Sequence, residues 1–276
     1  MCRWLAYSGE PLQPSTLVLD PEHSVVAMAQ NSPLGAETVN GDGFGLGWYA
    51  EDGSPHPWLF RSIDPAWHDE NLREICRAVR SPLFFAHVRA ATAGTPIQRT
   101  NCHPFRHENW LFMHNDAIAQ FPRVKRELIL AVDPELYPRI QGSTDSELLF
   151  YLALTYGLAE DPVRGMADAI RHVERVGHAA GVAMPVQATI AVSDGVTLWA
   201  FRYSSIGRSR TLFHSEDIPT MRRMYPDFER LSRIGDRARM VVSEPLNDLP
   251  GAFLEVPEYT VMTVDDDGYH QEPFLA

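Results

Sequence analysis

Apolar and polar positions alternate along several stretches of the chain and recur at helical spacing along others. Residues 3–8 (RWLAYS) form a short run of strand character, and 24–30 (SVVAMAQ) fit one or two helical turns. In NGDGFGLGWYA at 40–50, glycines that permit tight turns run into an aromatic segment of strand character. Residues 71–80 have helical spacing, with Leu72, Ile75, Cys76 and Val79 on one face. PLFFAHVRAAT at 82–92 and WLFMHN at 110–115 read as buried strands. Thr144-Asp145-Ser146-Glu147 carries a capping-box pattern and predicts a helix over 144–159. A second helix is predicted over 162–176, with Val163, Met166, Ile170 and Val173 turned inward and Gly177 just past its end. Residues 187–205 predict a hairpin turning at Asp194-Gly195, and 240–245 and 258–270 add further strands.

The order is therefore strands, then two helices, then strands, which argues for an α+β layered fold over a doubly wound one. No repeat or linker interrupts it. A single domain over 1–276 is expected, with the polar, Arg-rich stretch 206–238 as an irregular excursion.

Composition narrows the function more than the fold. A formal net charge of −12 argues against nucleic-acid binding, which needs a basic footprint. Three cysteines (Cys2, Cys76 and Cys102) are too few and too odd for a disulfide framework, and no CxxC pair suggests zinc. No apolar leader or run of membrane-spanning length is present, so a cytoplasmic protein that engages no membrane is expected, with no cofactor.

Four places could carry chemistry. Removal of Met1, normal before a small residue, would leave Cys2 with a thiol and a free α-amine. That amine has a reference pKa of ~7.7–8.0 and can serve as base for its own side chain. The bland alternative is a small residue opening a buried strand. Arg89 ends an otherwise apolar strand and sits on the face of His87 by alternation. It needs an anion, either a bidentate ligand carboxylate or an internal Asp or Glu. Asn115-Asp116 follows a buried strand; its amide could aim at an oxyanion, or the pair could simply be a turn. Asp145 could hold an ammonium group or merely favour the first turn of its helix.

Taken in order, Cys2, NGDGFG, HVRAAT with the downstream HPF, the HN pair and TDSE resemble the class II (N-terminal nucleophile) glutamine amidotransferases. SEPL at 243–246 is similar to stand-alone members, including the ergothioneine-pathway γ-glutamyl amidase. The resemblance implies a four-layer αββα sandwich, two antiparallel sheets between helical layers. It implies Cys2 as nucleophile with its own amine as base. Arg89 would bind the glutamine α-carboxylate and Asp145 the α-ammonium. The Asn115 side chain and the backbone N–H of Asp116 would form the oxyanion hole, and Thr92 and His103 would line the pocket. The expected substrate is glutamine or another γ-glutamyl compound, with a separate ammonia-accepting synthase chain as a possible partner. One position departs from the pattern: the family usually has Gly after the Asn, and here Asp116 carries a carboxylate that must turn away from a forming oxyanion. Two other readings compete, a γ-glutamyl conjugate amidase and a non-catalytic glutamine-binding module of the same fold. A metal site is disfavoured. Histidines 87, 103, 107 and 114 are dense, but the HxxxH spacing at 103–107 falls in a Pro-containing stretch and not on a helix.

Overall fold

The computed structural model describes residues 2–31, 39–92 and 94–275. Its elements run β1 (Arg3–Leu12), α1 (Ser15–Val18), α2 (Val25–Gln30), β2 (Phe44–Trp48), β3 (Trp58–Ser62), α3 (Glu70–Ala78), β4 (Ser81–Val88), β5 (Phe105–His107), β6 (Trp110–Ile118), α4 (Phe121–Leu130), α5 (Asp145–Thr155) and α6 (Pro162–Ala179). They continue with β7 (Val186–Ser193), β8 (Leu198–Ser204), β9 (Phe213–Ser215), α7 (Ile218–Met224), β10 (Arg239–Val242), β11 (Phe253–Glu255), β12 (Thr260–Asp265) and β13 (Gly268–Pro273). Seven strands form one sheet in the order β11-β9-β10-β1-β4-β2-β3, and six form the other, β13-β12-β8-β7-β6-β5.

Side-chain alternation stacks these sheets into four layers. On β1, Trp4 and Ala6 point into the core between the sheets, while Leu5 and Tyr7 point into an outer core under α1, α2, α3 and α7. On β6, Leu111 and Met113 face the inter-sheet core, while Trp110 and Phe112 face α4, α5 and α6. Phe112 stacks on Phe150 of α5 with ring centroids 4.9 Å apart, a pair worth ~0.5–1.5 kcal/mol beyond its burial. The αββα sandwich expected from the sequence is the architecture found. No helix among the described residues is long and apolar enough to cross a membrane.

Several local expectations need correction. The helix over 71–80 stops at Ala78, because Val79 turns to extended backbone. The helix begun by Thr144 ends at Thr155, not 159. Its cap is one-sided: Thr144 accepts from the Glu147 N–H, but Glu147 turns its carboxylate to the N–H groups of Gln141 and Gly142. Gly177 lies inside α6, not past its end; a β-carbon there would stand 2.5 Å from Pro185. The hairpin turn is longer than two residues, with Asp194 Oδ1 accepting from the N–H groups of Val196 and Thr197. The stretch 206–238 is no excursion: Ile218, Met221, Leu231 and Ile234 are part of the outer core. The helix α4 and the strand β3 went unpredicted.

The glycines of residues 40–50 serve two purposes. Gly43 has φ +112° and makes the turn that leads into β2. Gly45 and Gly47 lie within β2 and are needed for close approach. A β-carbon at Gly45 would overlap the carbonyl of His103, and one at Gly47 would come within 2.9 Å of Pro104. The 102–104 segment therefore lies directly on the backbone of β2. Gly45→Ala is expected to destabilise the fold by ~1–3 kcal/mol through overpacking. Urea unfolding would register this as a lower midpoint at unchanged slope; a midpoint that does not move would contradict the packing described.

Candidate active site

The site forms where the two sheets converge, at the ends of β1, β4 and β6. In the β1–β4 ladder, Arg3 pairs with Val88 and Trp4 with His87. The next step outward sets Cys2 beside Arg89. The Cys2 thiol donates a long bond of 3.7 Å to the carbonyl of Ala90. From the other sheet, Asn115 Nδ2 donates to the Cys2 carbonyl at 3.0 Å. Asn115 is not in a turn: it sits within β6, paired with Thr189 of β7.

Two residues that spacing did not single out complete the grip on residue 2. Arg3 Nη1 donates to the same Cys2 carbonyl at 2.6 Å. Its Nε pairs with Glu244 at 2.5 Å, both side chains being buried. Glu244 belongs to the SEPL segment, whose Ser243 locks the other edge of β1. The Ser243 hydroxyl accepts from the Trp4 N–H at 3.0 Å, and the Ser243 N–H donates to the Trp4 carbonyl at 3.0 Å.

Arg89 lies one residue past the end of β4, so a loop rather than strand alternation aims it. Asp42 of the glycine-rich turn holds that loop. Its N–H donates to the Arg89 carbonyl at 3.0 Å, and its carboxylate accepts from the Ala91 N–H at 2.7 Å. The Arg89 side chain is 3% exposed. Among the described residues no carboxylate pairs with it; its guanidinium reaches only the carbonyls of Asp42 at 3.5 Å and Pro96 at 3.4 Å. Among the described residues, then, the internal carboxylate partner considered for this arginine is not found.

Asp145 opens α5 and accepts from two backbone amides, Ile118 at 2.7 Å and its neighbour Ser146 at 2.9 Å. The first bond ties the end of β6 to the start of α5, and among the described residues no cation pairs with Asp145. His114 strengthens the same junction, with Nδ1 2.9 Å from the Ser146 hydroxyl and Nε2 3.3 Å from the Gln187 carbonyl. Asp116 has φ +108°, the left-handed side of backbone space, and its carboxylate accepts from Arg210 Nε at 2.9 Å. The side chain is turned away to a cation, not to solvent.

The remaining expected residues are placed differently. Thr92 is exposed, its carbonyl closing a turn with the Thr95 N–H at 2.9 Å. His103 is buried and stacks on His87 at 4.2 Å, with Phe105 at its edge. Its ring is enclosed by these contacts. Cys76 is core, and Cys102 is buried with its thiol donating to the Ser62 carbonyl at 3.3 Å.

Burial dominates the electrostatics. It pushes the Cys2 thiol above its ordinary value, with the Ala90 bond and the Arg89 and Arg3 charges pulling the other way. Burial also lowers His87 to about 3, helped by Arg89 and His114, and holds His103 well below the usual imidazole range. Both rings are neutral at physiological pH. Beside Asn115 lies a cavity of about 150 Å³ lined by Arg3, Ser209, Arg210, Thr211, Ser243 and Glu244.

Comparison with known proteins assigns the chain to a family. Residues 15–252 match the family described as class-II glutamine amidotransferases. Across 99% of its length the chain is 34% identical to a probable glutamine amidotransferase, DUG3, of Saccharomyces cerevisiae, of which it covers 86%. It is also 34% identical to the γ-glutamyl-hercynylcysteine sulfoxide hydrolase of Mycolicibacterium smegmatis, but over only 43% of this chain and 52% of that one. The structure of a glutamine aminotransferase class-II domain protein from Silicibacter pomeroyi superposes with a TM-score of 0.74 at 32% identity, each chain being covered completely. At 16% identity, the B. subtilis glutamine phosphoribosylpyrophosphate amidotransferase shares the fold, with a TM-score of 0.65 over 99% of this chain and 49% of its own. With its two-sheet sandwich and its match over most of its length, this chain belongs to the class II glutamine amidotransferases.

Proposed function

We propose that the protein hydrolyses the γ-amide of glutamine or of a γ-glutamyl compound through a thioester on Cys2. The observation that carries this reading is Arg89, a buried guanidinium with no carboxylate partner among the described residues. A buried cation left unpaired is costly, and an amino-acid α-carboxylate would compensate it in bidentate fashion. Asp145 is the matching anion for the α-ammonium. Thr92 and His103 would flank or underlie the bound glutamyl group.

Once Met1 is removed, the α-amine of Cys2 takes the thiol proton and the sulfur attacks the amide carbon. The oxygen becomes negative and is met by the second N–H of the Asn115 amide, the first being used on the Cys2 carbonyl, and by the backbone N–H of Asp116. Collapse breaks the C–N bond, and the α-ammonium returns its proton to the leaving nitrogen. Water, deprotonated by the same amine, then cleaves the thioester to release the γ-carboxylate and restore the thiol.

A leaving group larger than ammonia is the second reading. It is favoured by the polar cavity of about 150 Å³ beside Asn115 and by the similarity to hydrolases whose name specifies a γ-glutamyl conjugate.

Incubation of the processed protein with an electrophilic glutamine analogue is expected to add one label per chain at Cys2, read by intact mass. Cys2→Ala should abolish both labelling and turnover. Glutamine that binds without any labelling would instead identify a non-catalytic module. Turnover in the wild type should fall as pH drops through the α-amine range of ~7.7–8.0, since the protonated amine cannot act as base. Arg89→Lys keeps the charge but loses the planar fork. It is expected to raise KM for glutamine about 10- to 100-fold with a smaller change in kcat; steady-state kinetics that leave KM unchanged would remove Arg89 from the carboxylate role.

A further inference from the structure

Residue 116 combines two features that conflict. Its backbone has φ +108°, and its side chain is a carboxylate only 12% exposed, one residue from Asn115. The N–H of this residue is the one read above as an oxyanion donor. A negative charge beside that N–H opposes the charge that forms on the amide oxygen. The charged and titratable groups around Asp116 are Arg210 from the segment before β9, His114 on its own strand and Asp145 from the start of α5. Only Arg210 bonds to it directly, Nε to Oδ2 at 2.9 Å, and Arg210 and Asn115 line the same cavity.

We propose that Arg210 is a positioning residue, which holds the Asp116 carboxylate in an ion pair away from the oxyanion site and so allows an acid to occupy a place that otherwise calls for glycine. The proposal rests on Asn115 and the Asp116 N–H being the oxyanion donors. Arg210 touches no reacting atom; it acts through the direction in which one side chain points. Burial pushes the Asp116 carboxyl upward and Arg210 pulls it back. Losing the arginine therefore moves its protonation toward neutral pH.

The test is a cycle of Arg210→Gln, Asp116→Asn and the double variant, assayed on glutamine at several pH values. Rates are normalised to the fraction of Cys2 that the glutamine analogue labels, so that misfolded protein does not count. Arg210→Gln is expected to lower kcat about tenfold or more with little change in KM, within the range for damage to one oxyanion donor. Arg210→Lys should recover most of that loss. In the Asp116→Asn background the same Arg210→Gln change should cost less than about twofold. The rate of Arg210→Gln relative to wild type should rise as pH falls, because protonation of Asp116 removes the charge that the arginine had controlled. An equal cost of Arg210→Gln in both backgrounds, or a ratio that ignores pH, overturns the proposal while leaving the function above intact. A wild type that neither labels nor turns over overturns both.

Discussion

The carbonyl of Cys2 is held by two donors, one from each sheet, and the rest of the site depends on that. Chain ends normally fray, because fixing each residue costs ~1–2 kcal/mol of backbone entropy. Here residue 2 emerges from β1, an interior strand between β10 and β4, and is then caught by Arg3 on one side and Asn115 on the other. Arg3 is itself fixed by Glu244. A buried ion pair of this kind adds little to stability compared with apolar residues of the same size, but losing one member costs ~3–5 kcal/mol. What an apolar replacement could not do is direct a donor at a main-chain carbonyl. The pair is better understood as a device for position, setting residue 2 and its thiol in one place relative to β6.

Around that fixed point two charged groups lack a side-chain counter-ion among the described residues. Two buried arginines have one: Arg202 reaches Glu255 and Arg3 reaches Glu244. Arg89 and Asp145 are the contrast. One is supported by carbonyls and the other by backbone amides, and neither has a side-chain counter-ion among the described residues. Such supports orient a charged group without supplying an opposite formal charge, which is what the proposed binding of a zwitterion requires.

The layered fold was legible because it rests on alternation and helix caps, which lie within a few residues of each other in sequence. Ser24, Asp69, Thr144 and Asp161 all cap the helices that follow them. Two of the stretches that escaped have sparse or half-exposed apolar positions. In 206–238 the buried Ile218, Met221, Leu231 and Ile234 are separated by charged residues. In β3 no residue is fully buried, so neither periodicity stands out. At the site, Cys2, Arg89 and Asp145 stood out by residue type at an element boundary, and Asn115 by its amide after a buried apolar run. Asp42, Arg3, Glu244 and Arg210 did not, because their significance lies in pairings across 49, 241 and 94 positions of chain that no local spacing encodes. Gly45 and Gly47 were misjudged for a related reason: a turn glycine and a close-approach glycine are identical in sequence, and only the 102–104 segment lying on β2 separates them.

The proton inventory bears on which group acts as base. A cysteine hydrolase commonly relies on an imidazole, and His87 stands on the strand that ends at Arg89. Yet His87 is lowered to about 3 and His103 lies well below its normal range, both chiefly by burial. Burial meanwhile raises the Cys2 thiol, so transfer of a proton from that thiol to either ring is disfavoured on both sides. The two stacked rings are therefore poor bases, and their neutrality keeps further positive charge away from Arg89. Of the groups within reach of the sulfur, the α-amine of the same residue has an intrinsic pKa suited to exchanging a proton with a thiol near neutrality. The electrostatics of the core beneath the site thus fit the proposed mechanism, in which the nucleophile carries its own base.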